Sequence, residues 1–272
     1  MPSHPDFGEL KMNESIKQLF DLTGKTALVT GGSRGLGLQL ATALGQAGAR
    51  VIVSARKEHE LRDAQQTLRA LGVDADWIAA NGAQDDEIER LADEAIARLG
   101  HVDILVNNAG ATWGAPAEDH PVDAWDKVFD LNVRGLFLLT QRIGKHSMIP
   151  RGSGRVVNVA SIAGLRGNPP GAMTTIAYNS SKGAVVNFTR ALAGEWGKYG
   201  ITVNAIAPGF FPTKMANGLI DAIGADKLIA GAPLKRLGED GDLAGALLLF
   251  ASQAGRHITG QILAVDAGVS AV

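Results

Sequence analysis

Between residues 25 and 107, short apolar runs rich in β-branched residues alternate with amphipathic runs of helical period. Segments 25–30, 50–54, 75–80 and 104–107 read as strands. Between them Leu36, Leu40, Leu44 and Ala47, then Leu61, Ala64, Leu68 and Leu71, then Ile88, Leu91, Ala92, Ala95, Ile96 and Leu99 recur on one helical face. Strand and helix in alternation demand crossover connections, hence a parallel sheet with helices on both faces. Segments 155–159, 202–206 and 261–265 add further strands, so the prediction is one doubly wound α/β domain of about seven parallel strands over 22–272. In such a fold a ligand binds at the carboxyl ends of the strands.

Composition excludes several classes of function. A formal charge of −2 offers nucleic acid or an anionic membrane no electrostatic footing. Cysteine is absent, which rules out disulfides and thiolate catalysis and suits a reducing compartment. No apolar run reaches the ~20 residues that a membrane-spanning helix needs. Residues 1–20 lack the basic start and apolar centre of a signal peptide, so a cytoplasmic location is expected. Residues 1–21 read as a tail, loose over the first dozen, with Met12 as an alternative start and 15–20 as a short helix on the body. The histidines at 4, 59, 101, 120, 146 and 257 show no ligand spacing, read as solvated, and no metal is expected.

The first strand runs into Gly31-Gly32-Ser33-Arg34-Gly35-Leu36-Gly37, and a helical run follows at once. A glycine-rich turn between strand and helix lets backbone N–H groups approach a pyrophosphate at the helix N-terminus. Gly31, Ser33, Arg34, Gly35, Leu36 and Gly37 are therefore candidate cofactor contacts in a Rossmann-type fold. Charge indicates which nucleotide. A fold selective for NAD usually ends its second strand on an acid that bonds the ribose 2′-hydroxyl. Here that end reads Ser54-Ala55-Arg56, without a carboxylate. Arg56 and Arg34, converging on one spot, suit a 2′-phosphate through charge-assisted hydrogen bonds. NADP(H) is the expected cofactor.

Tyr178-Asn179-Ser180-Ser181-Lys182 opens another amphipathic run, and its spacing puts Tyr178 and Lys182 on one helix face. A phenol with a pKa of ~10 is a poor acid or base at neutral pH. A neighbouring ammonium favours the phenolate and is expected to lower that pKa towards useful proton transfer. Alone, the pair reads more readily as packing plus a solvated charge. Upstream, however, the fifth strand ends at Ala160-Ser161, which turns Ser161 towards the ligand crevice. Asn168-Pro169-Pro170-Gly171 breaks structure and is expected to loop over the site. Asn132 falls inside a helix expected over 123–148, where an asparagine is unfavourable. It reads either as a solvent-facing amide or as a bend holding a water beside the site.

Thr30-Gly31-x-x-x-Gly35-x-Gly37, Asn107-Asn108-Ala109-Gly110, Asn132, Ser161, Tyr178-x-x-x-Lys182 and Pro208-Gly209 stand in the order of the short-chain dehydrogenase/reductases. Over about 22–270 the chain resembles that family. The resemblance implies a catalytic tetrad of Asn132, Ser161, Tyr178 and Lys182. In it Tyr178 is the general acid in reduction and the base in oxidation, and Ser161 polarises the carbonyl. Lys182 lowers the phenol pKa and binds the nicotinamide ribose, while Asn132 holds the water of a proton relay. Cofactor contacts are further implied for Asn108, Ala109, Gly110, Pro208, Gly209, the backbone of Phe211 and the hydroxyl of Thr213. One departure stands out: where the family usually carries an Asp against the adenine, this chain has Asn81-Gly82, still expected to contact the cofactor because an amide both donates and accepts. The family also implies a homotetramer, with Trp125, Phe129 and Phe188 as candidate buried contacts.

The expected activity is hydride transfer between NADP and a secondary alcohol or ketone. The Pro-Pro-Gly loop and Phe210-Phe211-Pro212-Thr213 resemble the gluconate 5-dehydrogenase-like branch, which acts on sugar acids. The rival substrate is a 3-oxoacyl thioester, on acyl carrier protein or CoA. Acyl-carrier-protein reductases usually present arginines where this chain has Leu138 and Tyr199, although Lys198 is adjacent. Against the sugar acid, the substrate flap expected near 210–236 is greasy, with Met215, Leu219, Ile220, Ile223 and Ile229. A different class, a non-catalytic NADP sensor, needs none of the proton-transfer residues, whereas all are present here. Trp113 is expected to line the substrate pocket, and Tyr199 and Asp266 are read as structural.

Overall fold

A computed structural model describes residues 13–168, 173–214 and 224–272. The loose tail with Met12, the Pro169-Pro170-Gly171 stretch, and Met215, Leu219, Ile220 and Ile223 of the expected flap lie outside the described residues. Seven strands form one parallel sheet: Thr26–Thr30 (β1), Arg50–Ala55 (β2), Ala75–Ala79 (β3), Ile104–Asn107 (β4), Gly154–Val159 (β5), Ile201–Pro208 (β6) and Ile262–Val265 (β7). Their order is β3-β2-β1-β4-β5-β6-β7, with β1 paired to both β2 and β4. The chain reverses its direction of travel across the sheet between β1 and β4, and the carboxyl ends of those strands open a crevice there.

The helices are Glu14–Phe20 (α1), Gly35–Gln46 (α2), Glu58–Ala70 (α3), Asp85–Leu99 (α4), Val122–Phe129 (α5), Leu136–Ile143 (α6), Ile149–Arg151 (α7) and Ile176–Trp196 (α8), with two further short ones, Ala225–Ala230 and Ala244–Ala251. Leu40 and Leu44 of α2, Leu61 and Leu68 of α3, and Leu247 and Phe250 cover one face of the sheet with Val29, Val51 and Val53. Ile88, Leu91 and Ala95 of α4, Leu139 and Ile143 of α6 and Ala193 of α8 cover the other with Leu28, Ile52 and Leu105. Burial on both faces is why the strands read as nearly continuous apolar runs. Each such leucine or isoleucine contributes about 1.5–3 kcal/mol over an exposed one.

Two local differences from expectation are informative. The single helix expected over 123–148 runs through α5, α6 and α7, but π-helical turns at Asp130–Gly135 and Gly144–Met148 interrupt it. Such insertions often mark functional sites, and the first contains Asn132. At the amino ends of the strands, away from the crevice, His101 is not merely solvated. Its Nε2 lies 3.1 Å from Asp103, whose carboxylate also takes Arg151 at 2.7 Å and the Thr26 N–H at 3.1 Å. Asp266, as expected, is a turn acid, accepting from the Gly268 and Ser270 N–H groups at 2.9 and 2.7 Å. On the long central helices Trp125 stacks on Phe129 at 4.6 Å, and Phe137 meets Phe188 edge-on at 6.3 Å.

Candidate active site

The glycine turn is shaped by close approach. Gly31 has a left-handed φ of 64°. A methyl group at Gly37 would fall within contact distance of the Gly31 carbonyl and 2.5 Å from the Asn108 amide nitrogen. Arg34, at the N-cap of α2, offers no capping side chain to the helix, which leaves its first backbone N–H groups to a ligand. This is a cradle that a pyrophosphate fits. Asn108 holds it in shape, donating from Nδ2 to the carbonyls of Thr30 and Gly31 at 2.9 and 3.1 Å. Thr30, which the motif reading left without a role, accepts from the Asn108 and Ala109 N–H groups at 3.1 Å each through its hydroxyl. Its signal in the sequence was its place as the last strand residue before the turn.

Across the crevice, the end of β5 and the first turns of α8 bring three reactive side chains together. Ser161 is buried and caps a short 3-10 turn, its hydroxyl accepting from the Ala163 N–H at 3.1 Å. Its hydroxyl also favours the ionised form of the Tyr178 phenol. Lys182, only 4 % exposed, donates to the Val159 carbonyl at 2.7 Å, and its Nζ stands 5.7 Å from the centre of the Tyr178 ring. Both Lys182 Nζ and Asn132 Oδ1 flank Gly110, 3.6 and 3.3 Å from the point a methyl group there would occupy. The four residues of the expected tetrad therefore share one site with Gly110.

Tyr178 behaves differently from expectation. Burial raises the Tyr178 pKa, and the neighbouring Ser161 hydroxyl opposes that rise without reversing it. The expected depression by Lys182 does not prevail; burial lowers the lysine's own pKa to about 8, which leaves it cationic at neutral pH. At neutral pH the phenol is thus held protonated, ready to donate. Asn132 is wholly buried and already engaged: its amide donates to the Ala111 carbonyl and Ser181 hydroxyl at 2.9 and 3.0 Å, and accepts from the Ala111 N–H at 2.7 Å. Ser181 in turn donates to the Tyr178 carbonyl at 2.8 Å. Asn132 clamps the segment after Gly110 to the start of α8.

The remaining candidates distribute as follows. Thr213 places its methyl group against Gly35, 3.5 Å from a Cβ position there. Phe211 buries its ring against Gly238, so a contact from it is through backbone. Gly209 donates to the Val265 carbonyl at 3.0 Å, which fixes the Pro208-Gly209 turn at the end of β6. Asn81 uses its side-chain oxygen on the Ala83 N–H at 3.2 Å, and the Gly82 carbonyl packs on Gly135 in the π turn. Leu36 packs on the core. Exposed Trp113 belongs to a loop tied to the segment before Tyr178 by a hydrogen bond from the Ala115 N–H to the Thr174 carbonyl at 2.9 Å.

The two arginines read as a phosphate site are not equivalent. Arg56 is exposed and has no side-chain partner among the described residues. It borders a cavity of about 530 Å³ beside β3. Arg34, by contrast, pairs with Glu60 at 2.6 Å, and Glu60 also takes Lys57 at 3.3 Å and the Ser33 hydroxyl at 3.4 Å. Burial pushes the Glu60 pKa up, but Lys57 and Arg34 outweigh it and hold it below the usual carboxylate range. Glu60 was missed because nothing in its local sequence announces that the first turn of α3 folds back on the glycine turn.

A phosphate cradle at a topological switch point, with a protonated phenol and an amine across the crevice, belongs to a dinucleotide-dependent oxidoreductase. Comparison with known proteins agrees. The family model described as short chain dehydrogenase matches residues 25–223. Gluconate 5-dehydrogenase of Gluconobacter oxydans is 38% identical over 271 residues, 98% of each chain. The 3-oxoacyl-[acyl-carrier-protein] reductase of Staphylococcus epidermidis is 38% identical over 246 residues, 90% of this chain and 98% of its own. Among solved structures, a gluconate 5-dehydrogenase from Burkholderia cenocepacia in complex with NADP and tartrate superposes with a TM-score of 0.89 at 35% identity, covering 94% of this chain and 99% of its own. The chain belongs to the short-chain dehydrogenase/reductase family and is an enzyme acting on CH–OH groups.

Proposed function

We propose that the enzyme moves a hydride between NADP(H) and a secondary alcohol or ketone, and that its substrate is a sugar acid of the gluconate/5-ketogluconate type. The clustering of Ser161, Tyr178 and Lys182 carries the reaction. When bound, the nicotinamide supplies the hydride in reduction and takes it up in oxidation. Tyr178 gives its proton to the carbonyl oxygen, which Ser161 also hydrogen-bonds. The Lys182 ammonium offsets the negative charge left on the phenol.

For the nucleotide, support comes from Arg56, which has no partner among the described residues, just past β2, where the sequence carries no acid. For the substrate, the gluconate dehydrogenase relative matches over the full length of both chains. The surface speaks against an acidic carrier protein. Leu138 and Tyr199 pack against the core, and neighbouring Arg134 and Arg142 are already paired with Asp85 and with Asp93 and Glu89.

Absorbance of the reduced nicotinamide, followed with gluconate, acetoacetyl thioesters and a ketone panel, tests this reading. NADP is expected to be preferred, and Arg56→Ala to cut the NADP-to-NAD ratio of kcat/KM by about tenfold or more. A wild-type preference for NAD, or an undiminished ratio in Arg56→Ala, overturns the cofactor reading. Faster turnover of the thioester replaces the sugar acid, and tight NADP binding without turnover on any compound identifies a sensor.

A further inference from the structure

We infer that Glu60 is a specificity-determining residue that weakens the enzyme's discrimination for NADP over NAD by competing with the 2′-phosphate for Arg34. The inference rests on the reading that Arg34 and Arg56 face that phosphate. Three groups of the glycine turn and its surroundings converge on one carboxylate: Arg34 at 2.6 Å, Lys57 at 3.3 Å and the Ser33 hydroxyl at 3.4 Å. Two of these, Ser33 and Arg34, are the donors that a phosphate at this turn would use. Glu60 therefore stands where the anion would, in the manner of a resident substitute.

Its chemistry sets the direction of the effect. The carboxylate is four-fifths buried and its pKa lies below the usual range, so it is ionised at neutral pH. A phosphate dianion arriving beside it meets a like charge and has to draw Arg34 away from an existing ion pair. A ribose bearing only a 2′-hydroxyl meets neither cost, and the hydroxyl is a natural donor to a carboxylate. Glu60 thus supplies, from the first turn of α3, part of what an acid at the end of β2 supplies in NAD-selective folds. Arg56, which has no partner among the described residues, remains the free attraction for the phosphate. The outcome is an enzyme that binds NADP but retains use of NAD.

Glu60→Gln keeps the shape of the side chain and removes its charge. Fluorescence titration of wild type and variant with NADPH and with NADH, and competition by adenosine 2′,5′-bisphosphate, read the effect directly. NADPH and the bisphosphate are expected to bind about tenfold more tightly to Glu60→Gln. NADH affinity is expected to hold or weaken slightly. Arg34→Met introduced into Glu60→Gln is expected to erase the gain. Unchanged or weaker NADPH binding in Glu60→Gln overturns the inference, since Glu60 then merely orients Arg34. Should that variant not fold, Glu60→Ala decides by the same ratio. The wild-type NADPH-to-NADH ratio judges the cofactor reading separately: a wild type that prefers NADH refutes it, while a shift towards NADPH in Glu60→Gln still upholds the role of Glu60.

Discussion

Tyr178→Phe is expected to lower kcat by about 10²–10⁴-fold, the usual worth of a positioned general acid, while the nucleotide still binds. The ring, its packing and its 5.7 Å approach to the Lys182 ammonium are all retained in this variant. Only the hydroxyl is lost. Burial keeps the phenol protonated at neutral pH. Lys182 donates to the Val159 carbonyl, and the Asn132 amide to Ala111 and Ser181. Single-turnover oxidation of bound NADPH by the preferred ketone measures the loss; an undiminished rate removes Tyr178 from the chemistry.

Gly37→Ala is expected to be the most damaging small substitution in the nucleotide site. Its new methyl group meets the Gly31 carbonyl inside contact distance and the Asn108 Nδ2 at 2.5 Å. The first obstacle is backbone, and the second is the clamp that holds the turn closed, so neither yields cheaply. Overpacking of this kind costs about 1–3 kcal/mol, several degrees of Tm for a chain of this size. Opening the turn also displaces the N–H groups that face the pyrophosphate, and a misplacement of ~1 Å is worth about 10²-fold. Thermal melting and NADPH titration of the purified variant read both effects. A variant that melts and binds like wild type shows that the turn is slack.

The sheet was legible because burial on both faces writes each strand as an apolar run and each crossover helix as a stripe, as in Leu28–Val29 and in Leu40 and Leu44. The candidates Asn132 and Lys182 could be named from the motif order along the chain, and the fold brings both beside Gly110. What escaped is tertiary. The π turn around Asn132 shifts hydrogen bonds without breaking the apolar stripe, so one long helix was the natural reading. The Arg34–Glu60 pair joins residues 26 apart, and only the fold reveals that one of the two arginines is taken. The direction of the Tyr178 pKa depends on burial, which a lysine four residues away does not disclose.

The pH dependence of kcat/KM for ketone reduction, in wild type and in Lys182→Met, tests the central claim most directly. Lys182 is cationic below its pKa of about 8 and neutral above it. If its charge supports proton release from Tyr178, the wild-type rate falls as pH rises through that value, and Lys182→Met runs slower throughout and lacks that limb. A limb near pH 8 that persists unchanged in Lys182→Met, at an undiminished rate, would contradict the account.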